Sequence, residues 1–260
     1  MRIAAGVEYD GRRFHGWQSQ RGERCVQDVV EAALARVADA RVRLFCAGRT
    51  DAGVHALGQV VHFDTGVARP ERAWVLGANT VLPNDVSLRW ARPVPDNFHA
   101  RFSATGRRYR YVILDRSARS ALLAGRVTWV HRPLDAARMA EAALALLGTH
   151  DFSSYRAIGC QAKQPVRTVT ELTVRRRGAL IEIAVSANAF LHHMVRNIAG
   201  VLIAIGRGDA PVEWAGEVLE RRDRTAGGVT AMPDGLYLDR IEYPAAFDLP
   251  AERGDYGLQI

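Results

Sequence analysis

Hydrophobic positions along the chain switch between a period of two and a period near 3.6. The switches predict a β-α-β-β-α-β order twice over. Residues 2–9 (RIAAGVEY) form an apolar run of strand length. Between 26 and 38, Val26, Val29, Val30, Ala33, Leu34 and Val37 recur at helical spacing on one face. Residues 42–47 and 58–64 are strand-like, 71–79 suit a short helix opened by Pro70, and 86–94 return to a strand. In the second half, 107–114 alternate as a strand, and 134–147 read as an Ala-rich helix closed by Gly148. Residues 167–175 and 179–187 predict a hairpin around Arg177-Gly178. A helix over 189–205, a shorter one over 211–221 started by Asp209 and Pro211, and a strand over 236–243 complete the pattern. The expected fold class is α+β. Two ferredoxin-like, RRM-like units stand in tandem, residues 1–104 and 105–260, with a central antiparallel sheet and helices on one side.

Composition adds a partner class. The 260 residues carry a net charge of +7, with Lys163 the only lysine. Codon bias accounts for Arg in place of Lys but not for the excess of bases over acids. An excess of this kind fits a polyanionic partner, whose condensed counterions are released on binding. Cys25, Cys46 and Cys160 are far apart and form no CxxC pair, so neither a disulfide framework nor a zinc site is expected. No run approaches the roughly 18 apolar residues of a membrane span. The N-terminus reaches Glu8 before any signal-length apolar stretch. A cytoplasmic protein with reduced thiols and no membrane partner is expected.

Candidate chemistry centres on the ten residues from Gly48 to Leu57, which connect two predicted strands in a place where a tight turn would suffice. Gly48 and Gly53 permit positive φ or close backbone approach. Arg49 and Asp51 are two apart and share a side in extended chain. Read alone, the loop fits an Asx-turn at Asp51 with Arg49 solvated. It lacks the Gly-x4-Gly-Lys-Ser/Thr pattern of a phosphate loop, and one carboxylate with one His is too few ligands for a metal. In Arg107-Arg108-Tyr109-Arg110-Tyr111, the tyrosines share one strand face and Arg108 and Arg110 the other. They fit stacking platforms and phosphate contacts, or one core tyrosine and a solvated basic face. On the 189–205 helix, Leu191, Met194, Val195, Ile198, Val201, Leu202 and Ile205 form an apolar stripe. His192, His193, Arg196 and Asn197 then make a polar patch near its start. Arg196 there needs a partner, because burying it unpaired is costly.

Several runs together resemble the tRNA pseudouridine synthase A family. They are YDGRRFHGWQ at 9–18, VQ at 26–27, FCAGRTDAGVHALGQVVHF at 45–63, NFHARFSATGRRYRY at 97–111, ANAFLHHMVRNI at 187–198 and GLYL at 235–238. Members of that family act on uridines 38, 39 and 40 of the tRNA anticodon arm. The resemblance implies that Asp51 is the catalytic aspartate, Tyr109 (not Tyr111) the tyrosine against the target base, and Arg196 the basic partner of the aspartate. It implies that Arg49 associates with the flipped-out nucleotide and that Leu236 lines the base pocket. It also implies no cofactor, no metal and a homodimer holding one tRNA. Cys25 stands where relatives have Ser or Thr, so a side-chain helix cap is expected to be missing there. Rival readings are a pseudouridine synthase with other RNA targets, a non-catalytic RNA-binding or chaperone protein on the same fold, and a hydrolase using Asp51. The last has no second carboxylate or metal cluster in the matched runs to activate water.

Overall fold

The computed structural model describes residues 1–250, and these fall into two compact units. Of the described residues, unit 1 comprises Met1–Thr105 and residues 237–250, and unit 2 comprises Gly106–Leu236. Each is a mixed α+β structure on a mostly antiparallel sheet.

Unit 1 contains β1 (Arg2–Tyr9), α1 (Val26–Ala38), β2 (Phe45–Cys46), β3 (His55–Asp64), α2 (Glu71–Asn79) and β4 (Val86–Val94). Strand β1 runs antiparallel between β3 and β4, and β2 pairs with β3, giving the ferredoxin-like order β4-β1-β3-β2. Register sorts the side chains into two faces. Ile3 stands opposite Phe63, whose ring meets Trp74 of α2 edge-on at 5.2 Å. Ala4 stands opposite His62 on the other face, where Val60, Val94 and Phe98 are capped by Tyr243, Phe247 and Leu249. Gly6 admits the Trp90 ring, which any Cβ at that position would strike.

Two boundaries differ from the sequence expectation. The 42–47 strand shrinks to Phe45–Cys46, whereas the 58–64 strand starts at His55. The cause is non-local. His55 and Ala56 pair in parallel with Tyr237 and Leu238, and the His55 ring stacks on Tyr237 at 4.6 Å. Three residues of the expected ten-residue loop, His55 to Leu57, are therefore strand.

Unit 2 contains β5 (Gly106–Asp115), β6 (Thr128–Val130), α3 (Ala136–Ala143), β7 (Gly148–Asp151), β8 (Val166–Arg177), β9 (Leu180–Ala187), α4 (Met194–Gly206) and α5 (Trp214–Arg221). The strand order is β5-β9-β8-β7, with β6 parallel beside β5. Strand β10 (Leu236–Glu242) begins at the unit's last residue and continues into unit 1. The expected hairpin turns at Gly178, which holds φ 59°. The 134–147 helix is shorter than expected. Asp135 caps it by accepting from the amides of Ala137 and Arg138, and it tightens into a 3-10 turn over Leu144–Leu146. Strands β6 and β7 were not anticipated; each is four residues or fewer, too short for a period to register.

The 189–205 helix starts five residues late, at Met194. Asn188 ends the preceding strand by accepting, through Oδ1, from the amides of Thr168 and Ala189. His193 then takes a left-handed conformation, φ 61°, as the N-cap. His192 and His193 are consequently not helical, and their rings lie 4.0 Å apart in the turn before the helix. The apolar stripe is as expected, and all seven of its residues are buried. Asn197 departs from the expected polar patch: it is buried and bonded on several sides.

Candidate active site

In unit 1 the motif 9–18 and the motif 45–63 fold against each other, and their shared product is the turn carrying Asp51. Val54 donates its amide to the Asp51 carbonyl at 3.1 Å, with Gly53 at φ 80° inside the turn. Positive φ at that position favours glycine. Three clamps hold the turn. On the first side, Tyr9 Oη and Thr50 Oγ1 share a hydrogen bond of 2.7 Å, with Thr50 buried. On the second, the side-chain amide of fully buried Gln59 donates to the Gly48 carbonyl at 2.6 Å and accepts from the Gly48 amide at 3.4 Å. On the third, Trp17 donates its amide to the Thr50 carbonyl at 3.0 Å, and Gly53 donates to the Phe14 carbonyl at 3.3 Å.

The 14–17 segment is itself anchored by α1. The N-cap Cys25 makes no side-chain cap bond, as its residue type predicts. The helix's first amides go instead to backbone: Val26 to the Gly16 carbonyl at 3.2 Å and Gln27 to the Trp17 carbonyl at 3.0 Å. Close approach makes two glycines obligatory. A Cβ on Gly16 would lie 2.6 Å from the Thr50 carbonyl oxygen, and one on Gly11 would lie 2.0 Å from that of Val54. Asp51 remains partly exposed and Arg49 is exposed. Cys46 is no competing nucleophile at neutral pH: desolvation pushes its thiol up to about 12. Asp10 is held well below the usual carboxylate range. Burial works against this, but hydrogen bonds from His55 and Arg12 outweigh it. Asp10 accordingly stays with Arg12, at 2.5 Å.

Tyr9, Gly11, Gly16, Gln27 and Gln59 were not singled out by sequence reasoning, although all lie in the quoted runs. Their signal is a glycine or a polar residue in a strand, at a helix start or in a loop, which alone has many causes.

In unit 2, Tyr109 and Tyr111 point to one face of β5 and have different surroundings. Tyr111 is fully buried; its Oη meets Thr128 Oγ1 at 2.5 Å and donates to the Met232 carbonyl at 2.9 Å. Desolvation raises its pKa, against a smaller opposing effect of the Thr128 bond. Tyr109 is partly exposed and packs edge-on against Phe190 at 5.0 Å. The opposite face corrects one expectation. Arg108 and Arg110 are not phosphate-holding cations in open solvent, because they are paired across the sheet with Glu171 and Glu182.

Arg196 lies in the first turn of α4 and is partly exposed. The 224–231 segment straps this turn. Arg196 Nε donates to the Ala231 carbonyl at 2.8 Å, and Ala231 returns its amide to the Arg196 carbonyl at 3.1 Å. Next to it, Asn197 accepts from Arg224 at 3.1 Å and Thr230 at 2.7 Å and donates to the Tyr155 carbonyl at 2.7 Å. Gly200 lets the strap approach, since a Cβ there would stand 1.9 Å from the Val229 carbonyl oxygen. Leu236 is buried at the start of β10. The structure thus puts Arg49 and Asp51 on one rigid turn, and Tyr109, Arg196 and Leu236 on the scaffold of unit 2.

A protein-family model described as tRNA pseudouridine synthase matches residues 5–103 and 142–244. The tRNA pseudouridine synthase A of Pseudomonas aeruginosa is 60% identical over 250 residues, covering 96% of this chain and 88% of the relative. That of Nitrosococcus oceani is 60% identical over 250 residues, covering 96% of each. That of Klebsiella pneumoniae strain 342 is 52% identical over 250 residues, covering 96% and 93%. A crystal structure of a Cbf5-Nop10-Gar1 complex is a remote likeness, with a TM-score of 0.32 and 11% identity over 90% of this chain and 57% of that one. Among the described residues, no helix is long and apolar enough to cross a membrane. The chain belongs to the tRNA pseudouridine synthase family, enzymes that isomerise uridine in tRNA.

Proposed function

We propose that the chain converts uridines 38, 39 and 40 of the tRNA anticodon stem-loop to pseudouridine, with Asp51 as nucleophile. The observation that carries this reading is the Asp51 turn, clamped from three sides by buried partners while Asp51 itself stays partly exposed. A nucleophile on so rigid a support loses little freedom on reaching its target.

Isomerisation breaks the N1–C1′ bond, turns the uracil, and joins C5 to C1′. The C5 hydrogen leaves to solvent and N1 takes up a proton, so atoms balance without a cofactor. The carboxylate attacks C1′ or C6, or assists a glycal; each route ends with release of the C5 hydrogen. In this reading Arg196 is the basic partner of Asp51. Tyr109 stacks on the detached base, and Leu236 walls its pocket. Arg49 fills the gap that the base leaves, because unstacking a base costs a few kcal/mol. The same reading takes the enzyme as a cytoplasmic homodimer without metal.

Replacing uridines 38–40 of an otherwise uniformly 5-tritiated tRNA transcript by cytidine is expected to remove tritium release. Undiminished release would instead favour a synthase of other target positions.

The two tyrosines separate by assay. Tyr109→Phe is expected to lower turnover by about tenfold or more with little change in stability. Tyr111→Phe is expected to cost about 1–2 kcal/mol of stability, because the buried hydroxyl's bonds to Thr128 and to the Met232 carbonyl are lost, and to spare turnover in the folded fraction. The reverse pattern in tritium release and urea unfolding would give Tyr111 the active-site role.

A further inference from the structure

Unit 1 carries an exposed aromatic surface at Phe45 and Phe102. From residue 41 to 45 exposure alternates: Arg41, Arg43 and Phe45 are exposed, Val42 and Leu44 buried. Phe45 is 42% exposed and pairs across the sheet with His62, their rings stacked at 5.0 Å. Register puts it on the face opposite the helices. In RRM-like folds that face is a place where bases can stack on aromatic rings. The rest of the face is covered by Phe98, Tyr243 and Phe247.

The row continues through His99, whose ring lies 5.6 Å from Phe45 and 4.3 Å from Phe102. Phe102 is 76% exposed. The turn presenting it is built. His99 Nδ1 accepts from the amides of Arg101 at 3.1 Å and Phe102 at 3.3 Å, and the Ala100 amide donates to His62 Nδ1 at 3.1 Å. Each exposed ring has a guanidinium beside it, Arg43 at 5.8 Å from Phe45 and Arg101 at 5.7 Å from Phe102. Burial, with Arg2 and other cations nearby, lowers the pKa of both His62 and His99, so they serve here as neutral acceptors.

We propose that Phe45 and Phe102 are a stacking platform for unpaired bases of the tRNA, with Arg43 and Arg101 against the adjoining phosphates. Paired aromatics and cations are the chemistry that holds single-stranded nucleic acid without reading its sequence. Asp51 is six positions along the chain from Phe45, so their Cα atoms lie at most roughly 22 Å apart, a span of a few nucleotides. A second copy of this chain fits less well. A two-fold contact through this patch would set its arginines against each other. The inference rests on the family's tRNA substrate and not on the role of Asp51.

The test measures Kd by filter binding and KM by tritium release, using an unmodified tRNA transcript. Phe102→Ala and Phe45→Ala are each expected to raise Kd and KM about tenfold, with the loss concentrated in KM. Phe102→Leu should behave as Ala and Phe102→Trp as wild type, since Leu keeps apolar area but offers no ring. Arg43→Ala should flatten the slope of log Kd against log salt by roughly 0.7–0.9. Phe102 is so exposed that its variants carry the test even where Phe45→Ala fails to fold. An unchanged Kd in the double alanine variant overturns the platform. So does a Leu variant binding as well as Trp, or a Kd loss that tracks dissociation to a smaller species in sedimentation. Were wild type to bind tRNA but release no tritium, the proposed chemistry would fail while the Kd series still decided the platform.

Discussion

Asp51→Asn is expected to lower tritium release from 5-tritiated tRNA by at least about 10^4-fold, the order seen when a nucleophile is removed. Binding of tRNA should remain close to wild type. Asn matches Asp in shape, and the bond that closes the turn comes from the Asp51 backbone carbonyl, which the substitution leaves in place. Tyr9, Thr50 and Gln59 also keep their partners, so the turn should hold its form. What disappears is the negative charge proposed to attack or stabilise the reacting carbon. Substantial turnover by the variant would remove Asp51 from the chemistry, and loss of binding would make it a contact residue.

Gly11→Ala is expected to reduce turnover about 100-fold or more without touching any residue of the proposed chemistry. The new methyl would stand 2.0 Å from the Val54 carbonyl oxygen, and both partners are backbone. Neither can rotate away, so the Asp51–Val54 turn must move. A displacement near 1 Å at a reacting group is worth about two orders of magnitude in rate. Overpacking should also cost about 1–3 kcal/mol in stability, read by urea unfolding. Gly66→Ala is the control, because open space surrounds that glycine. Equal activity of the two variants would show that the turn is not held as described.

Sequence pattern and structure agree where burial is one-sided and long enough to set a period. Helices 26–38 and 71–79 and the strand 86–94 are found at their expected bounds, and the apolar stripe of α4 is buried throughout. The misses come from distant pairing and from local backbone conformation. Strand β3 begins early because Tyr237 pairs with His55 from 182 positions away, which no local window contains. Helix α4 begins late because His193 adopts a left-handed cap, a conformation its residue type does not announce. Arg108 and Arg110 look like a free basic face until Glu171 and Glu182 arrive from other strands.

The candidate site divides along the same line. The motif around Asp51 singles out the proposed nucleophile, and its glycines are legible as turn residues. The reasons for Gly11, Gly16 and Gln59 are not, because each acts on a backbone atom of another segment, and Tyr9 bonds the Thr50 hydroxyl from 41 positions away. A residue that supports another through its carbonyl leaves no complementary residue type for a sequence reader to find.

The central claim is that this tRNA pseudouridine synthase family member isomerises anticodon-arm uridines through Asp51. Its most direct test is mass-spectrometric mapping of pseudouridine in an unmodified tRNA transcript after incubation with the wild-type chain or with Asp51→Asn. The account predicts pseudouridine at positions 38–40 with the wild type and at no position with the variant. Pseudouridine made at those positions by Asp51→Asn, or made by the wild type only elsewhere in the tRNA, would contradict it.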